Sequence, residues 1–241
     1  MNRDFGVTES IRGAVPDSVE WIFVLGSLPG ELLLVVAVLA SLYLGDFFTR
    51  VQNIRSPDQL TQIASDNTVA FIAIVFGGLS LIVFLEALFG FSRPPEEWHA
   101  VVVSPYSFPS GHTMAATILW GGLALLFSSG KSWQRDLTAG VLIAMVGVSR
   151  VGLGVHYLAD VIAAILIGAS YLGIARVTLW GQPKRSFAVA LVFALAAVVF
   201  TAASSRSLIA FAGTVGAVVG WKVVELPSIR NRIAQFVVSI R

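Results

Sequence analysis

Apolar residues run along this chain in long blocks separated by short polar islands, not in the alternation of a strand or the narrow stripe of a soluble helix. A helix needs roughly 20 apolar residues to cross hydrocarbon. Seven blocks approach that length: 30–46, 67–91, 112–129, 136–154, 157–179, 187–203 and 207–225. Only SSRS, at 204–207, divides the last two, which predicts a tight helical hairpin. No repeat or long linker interrupts the series. The pattern predicts an all-α, polytopic membrane helical bundle of six or seven transmembrane helices, forming a single domain over 1–241. Residues 1–29 read as an N-terminal tail and interfacial segment. Glu20 and Glu31 interrupt the apolar stretch that follows the polar start, so no cleavable signal peptide is expected. Residues 226–241, with Arg230, Arg232 and Arg241 among apolar positions, predict a basic tail able to lie on anionic lipid as a short amphipathic helix.

Composition strengthens the membrane assignment. The 241 residues are 56% hydrophobic and 12% charged, with a mean hydropathy of +0.82, far from the balance of a soluble domain. A net charge of +2 is too small to argue for nucleic acid, and the absence of cysteine excludes disulfides and thiolate metal sites.

Basic residues orient the bundle, because Lys and Arg concentrate in cytoplasmic loops. With seven spans, one side collects Arg50, Arg55, Lys131, Arg135, Arg176, Lys184, Arg185, Lys222, Arg230, Arg232 and Arg241, which is 11 of the 16. Arg3, Arg12, Arg93, Arg150 and Arg206 remain for the other. The C-terminus is therefore expected in the cytoplasm. Three polar islands then fall together on the extracytoplasmic side: EALFGFSRPPEEWH at 86–99, FPSGHT at 108–113 and SRVGLGVHYLAD at 149–160. Ionisable groups at membrane depth are costly, and their clustering marks a functional site.

The residue types point to anion chemistry. His156 and Asp160 are four residues apart and share a helical face if the fifth span starts near Val155, so Asp160 can fix the tautomer of a nucleophilic or basic His156. A purely structural His–Asp pair at a helix start is equally consistent with that spacing. In FPSGHT, Pro109 and Ser110 suit a helix opening, Gly111 permits close backbone approach, and the free N–H groups of the first turn favour phosphate. Ordinary turn chemistry also explains Pro-Ser-Gly, but not His112 at the membrane edge. Arg93 and Arg150 carry guanidinium forks that match phosphate oxygens, although each alone also suits an interfacial anchor. A facial metal triad of His112, His156 and Asp160 is a third arrangement the composition allows, opposed by the two nearby cations. His99, after EEW, and Trp21, Trp98, Trp120 and Trp180 read as interfacial or packing residues.

PSGH at 109–112, and SR followed by five residues, His156, three residues and Asp160, resemble the second and third signatures of the type 2 phosphatidic acid phosphatase superfamily, which includes vanadium haloperoxidases and bacterial lipid phosphatases. Arg93-Pro94 resembles the end of its first signature, a Lys, six residues, then Arg-Pro. Glu86 stands where that lysine is placed. The resemblance implies a metal-independent phosphohydrolase without cofactor. His156 would attack phosphorus to form a phosphohistidine, Asp160 would orient it, and His112 would protonate the leaving alkoxide. Arg93, Ser110, Gly111 and Arg150 would hold the phosphoryl oxygens. A site at the bilayer surface implies a lipid phosphate or diphosphate as substrate: phosphatidate, phosphatidylglycerol phosphate or polyprenyl diphosphate. Glu86 keeps open an alternative, an impaired member of the family that binds anionic lipid without turnover.

Overall fold

The computed structural model describes residues 6–52, 54–127 and 131–239. Arg3 and Arg241 of the charge count, and the last two residues of the third apolar block, lie outside them.

Ten α-helices and no strand form among the described residues: α1 Val7–Gly13, α2 Glu20–Ser27, α3 Leu32–Val51, α4 Asp66–Phe89, α5 Gly111–Leu126, α6 Ser132–Gly152, α7 Leu158–Thr178, α8 Pro183–Phe200, α9 Ser205–Val224 and α10 Pro227–Ser239. The protein is an all-α, multi-pass membrane bundle. The apolar blocks become α3 to α9, with ends displaced by a few residues.

Five of these, α3, α4, α7, α8 and α9, are long and apolar enough to span a membrane. That is fewer than the six or seven expected, and the two shortfalls have different causes. The 16 residues of α5 rise only about 24 Å at 1.5 Å each, against roughly 30 Å of hydrocarbon. The 21 residues of α6 are long enough, but Arg135 and Asp136 near one end and Arg150 near the other dilute its hydropathy. Both helices carry site residues where apolar ones would otherwise stand.

The central helix is α4. Ser65 caps it by accepting from the Thr68 amide at 3.1 Å, and its apolar residues extend around the whole circumference, the pattern of a helix enclosed by others. Phe71, Val75 and Ile82 of α4 join Met114, Ile118 and Leu119 of α5 in the main core. On its other side α8 presents Ala190, Ala194 and Ala197, all fully buried, and small residues let helix backbones come close. Ile162, Leu166, Ile174 and Val177 of α7 instead face outward, as do Val192, Leu195 and Val199 of α8. Outward apolar side chains suit lipid.

Both termini depart from the expected tails. The N-terminal segment folds as α1 and α2 over α6, so it is structured cover for one end of the bundle. The C-terminal tail is helical as expected, but Ala234 of α10 is fully buried with Val51, Ile54, Leu60 and Ile63, so that face packs on protein.

Candidate active site

The site is built where α4 ends. Gly90, in the left-handed region at φ 59, closes the helix and donates its N–H to the Glu86 carbonyl at 3.0 Å. Pro94 and Pro95 prevent helix from resuming, and residues 91–110 form a loop instead. An antiparallel bridge between Ser92 and Tyr106, and the Ser107 amide donating to Phe91 O at 2.9 Å, close its ends. The rings of Phe89, Phe91 and Phe108 meet with centroids 5.0 to 5.7 Å apart and fix that closure to the apolar body. The loop then seats on the α6–α7 connection. Ala100 donates to Leu153 O at 3.0 Å, and a Cβ on Gly154 would lie 2.1 Å from Trp98 O, so only glycine fits there.

This docking brings the three polar islands together. His156 is 1% exposed, and its Nε2 lies 3.0 Å from Arg93 Nη1. A guanidinium only donates, so Nε2 is the acceptor and the proton resides on Nδ1. On the Nδ1 side Ser107 Oγ stands at 3.4 Å and Asp160 Oδ2 at 3.6 Å. Ser107 in turn donates a short hydrogen bond to Asp160 Oδ2. The imidazole therefore meets Asp160 both directly, at a long 3.6 Å, and through the Ser107 hydroxyl. Asp160 also accepts from the Tyr157 amide at 3.1 Å, as part of the α7 cap. Burial pushes the His156 pKa down to about 3, and the charges of Arg93 and Arg150 reinforce that fall against the pull of Asp160. His156 is thus a free base with its lone pair on the Arg93 side.

Arg93 is held by the Ser104 carbonyl, by Ser104 Oγ at 3.1 Å and by Val155 O at 2.7 Å. Burial lowers its pKa to about 10, so it remains cationic. Arg150, on the buried face of α6, is only 4% exposed, and its Nε has no hydrogen-bond partner. No carboxylate pairs with it among the described residues. The charges of Arg93 and Arg150 both bear on His112 and on His156.

The FPSGHT stretch opens α5 as its residue types predict, with Ser110 at the N-cap. The Ser110 hydroxyl bonds Thr113 Oγ1 at 3.0 Å, and its amide donates to the Asp160 carbonyl at 3.2 Å, tying the second island to the third. A Cβ on Gly111 would sit 3.1 Å from Glu86 Oε1, so glycine admits the α4 carboxylate beside this helix start. His112 Nε2 bonds Glu31 Oε2 at 2.8 Å. That hydrogen bond, ahead of the cost of partial burial, holds the Glu31 carboxyl below its usual pKa.

Four polar partners here escaped sequence reasoning. Glu31, Ser104, Ser107 and Arg206 stand outside the quoted motifs or at unremarkable positions within them. Charge counting did group Arg206 with Arg93 and Arg150, and the structure sets it beside Glu86 and Ser104. His99 bonds Pro94 O at 3.0 Å and lines a cavity of about 670 Å³ bounded by residues 92–96 and 99–105, Arg93 and Ser104 among them. Loop and cavity supply an approach to Arg93 of the size typical for small ligands. The metal triad of His112, His156 and Asp160 is not formed: among the described residues no three His, Asp or Glu side chains gather as a metal-binding group. Their hydrogen-bonding atoms are directed to Glu31, Arg93 and Ser107 instead.

Residues 31–185 match the PAP2 superfamily. Phosphatidylglycerophosphatase B of Bacillus subtilis is 39% identical over 71 residues, covering 27% of this chain and 35% of that protein. Lipid A 1-phosphatase of Rhizobium johnstonii is 31% identical over 125 residues, 48% of each chain, and the Rhizobium etli protein of the same name is 31% identical over 124. The chain thus spans half or less of the length of these curated relatives. No solved structure matches.

Proposed function

The chain belongs to the PAP2 superfamily, and on that premise we propose that it is a metal-independent phosphohydrolase acting on a membrane lipid phosphate or diphosphate at the extracytoplasmic surface, its C-terminus cytoplasmic. The observation that carries this reading is the state of His156: buried, unprotonated at Nε2, faced by Arg93 and backed by Ser107 and Asp160. That is a nucleophile held beside a vacant oxyanion role, because Arg93 can transfer its N–H from Nε2 to an arriving phosphoryl oxygen. The names of the similar proteins, a phosphatidylglycerophosphatase and two lipid A phosphatases, support a lipid phosphate as substrate.

The chemistry follows from the positions. Nε2 of His156 forms a bond to phosphorus as the bond from phosphorus to the lipid oxygen breaks. His112 gives its proton to that departing oxygen, and Glu31 keeps the imidazole in place. The phosphohistidine is cationic, with its Nδ1 proton directed at Ser107 and Asp160. Water then attacks phosphorus, its proton passes to the now neutral His112, the N–P bond breaks and inorganic phosphate leaves. Arg93, Arg150, Ser110 and the amides at Gly111 hold the charge that builds on the equatorial oxygens.

Glu86, at the position of the motif lysine, bears on the alternative of binding without turnover. Its carboxylate is paired with Arg206 at 2.5 Å, which offsets the charge that would repel phosphate and favours the hydrolase reading. The test is phosphate release from phosphatidate, phosphatidylglycerol phosphate and a polyprenyl diphosphate by detergent-purified protein with chelator present. Wild type is expected to turn over at least one, and His156→Ala to fall on the order of 10⁴-fold or more. Equal rates for the two proteins would reject the mechanism.

A further inference from the structure

Arg206 lies 113 positions after Arg93 and beyond the matched family region, in the first turn of α9. Its guanidinium nevertheless reaches the site. Nη1 donates to Glu86 Oε2 at 2.5 Å and to Ser104 Oγ at 3.1 Å, and that same hydroxyl lies 3.1 Å from Arg93 Nη2. Two guanidinium groups thus flank a single oxygen, one of them already bonded to the proposed nucleophile. Like charges held this close repel, and the arrangement is favourable when an anion lies between them.

The surroundings hold Arg206 in this position. Ser204 caps α9 by accepting from the Ser207 amide at 3.4 Å, and Thr201 Oγ1 bonds Ser207 Oγ at 2.7 Å. Ala202 and Ala203 both adopt left-handed backbone, at φ 49 and 60, a conformation alanine avoids unless its surroundings impose it. Glu86, 2% exposed beneath the arginine, anchors one nitrogen. The described contacts of Arg206 all use Nη1, and a guanidinium has five N–H donors, so Nη2 and Nε keep theirs for another acceptor. The side chain is about half exposed, as a group that meets incoming substrate must be.

We infer that Arg206 is a further phosphate-binding residue of this site, carried in on the first turn of α9 and held in register by Glu86. The assignment rests on the phosphohydrolase reading above. It gives the negative charge at position 86 a purpose: the carboxylate positions a cation supplied from elsewhere in the chain. A headgroup entering over Ser104 would be gripped by Arg93 on one side and Arg206 on the other, adding a bidentate fork for the oxygens farthest from His156.

The test uses full-length protein in detergent and two readouts, orthovanadate affinity and phosphate release from phosphatidate. Arg206→Ala is expected to weaken both about 100-fold, and Arg206→Lys about 10-fold, because a lysine keeps charge but not the fork. Glu86→Gln combined with Arg206→Ala separates binding from mere neutralisation of Glu86. It is expected to stay at least about 10-fold weak by the same loss of a phosphate donor. Wild-type orthovanadate affinity in Arg206→Ala, or full recovery in the double variant, overturns the assignment. If wild type binds orthovanadate in an Arg206-dependent way yet releases phosphate from no lipid, the hydrolase reading falls and the anion-binding role of Arg206 stands.

Discussion

Two polar clusters close the two ends of this bundle, built from the same residue types and organised on opposite principles. At the end holding α10, Asp46 accepts from the Ser65 amide at 2.6 Å and pairs with Arg50 at 3.3 Å, while Glu225 accepts from the Ile63 amide at 2.8 Å. Arg230 donates to Thr61 O at 2.7 Å and faces Glu225 at 3.8 Å. Each carboxylate there meets a backbone donor or a cation, and the one buried nitrogen left over, Arg230 Nε, belongs to a guanidinium that faces Glu225. At the site end, Arg93, Arg150 and His156 crowd together, Asp160 stands against His156 directly and through Ser107, and the buried Arg150 pairs with no carboxylate among the described residues. A network that ties loops to helices leaves little charge over. One that awaits an anion keeps positive charge unneutralised, at a cost in stability.

That contrast can be broken by substitution. The largest effect is expected at Arg150→Met, which removes a buried cation without a carboxylate partner. Phosphate release should fall about 100-fold or more while the melting temperature rises by about 2 °C or more, since an apolar side chain of similar length relieves an unpaired buried charge. A fall in melting temperature would show Arg150 to be structural. Next comes Ser107→Ala, expected to lower kcat about 10-fold with KM little changed, because it removes the hydroxyl bridge between His156 and Asp160 and leaves only their long direct contact, without touching phosphate. A proportionate rise in KM would place Ser107 on the substrate instead.

At the opposite end, Glu225→Gln should reverse the pattern. Loss of a charged acceptor for the Ile63 amide is expected to cost about 1.5–3 kcal/mol, read as a lower melting temperature with kcat/KM unchanged. The smallest effect is a pH dependence. The bond from His112 holds the Glu31 carboxyl below its usual 4.5, and a lowered folded-state value contributes stability above the unfolded value that is lost as pH falls through the folded one. The difference in melting temperature between wild type and Glu31→Gln should therefore be full above about pH 4.5 and narrow as pH is lowered below that through the folded-state value. A constant gap would mean the carboxylate charge contributes nothing to holding His112.

Much of this was legible in the chain, for reasons specific to each residue. Helices α3, α4, α7, α8 and α9 were visible because a helix in lipid must be apolar over its whole spanning length. His112, Arg93, Arg150, His156 and Asp160 were visible as ionisable groups in places where burial is expensive. Glu31 read as an interruption of an apolar stretch, and nothing local ties it to His112. Ser107 sits one residue before the quoted FPSGHT and has no signal beyond its neighbourhood. Arg206 read as a hairpin residue on the outer side. The charge conflict at Glu86 was visible, but not its relief 120 positions later in Arg206.

The sequence by itself determined an all-α membrane bundle, three polar islands set between its helices and residue types able to handle a phosphate, because hydropathy, charge and motif spacing are local properties of the chain. Only the tertiary structure decided which groups touch: that Ser107 stands between His156 and Asp160, that Glu31 holds His112, and that Arg206 reaches Glu86 and Ser104. Such pairings span distant segments, and side-chain contact is set by how helices pack and loops dock, which no local pattern encodes.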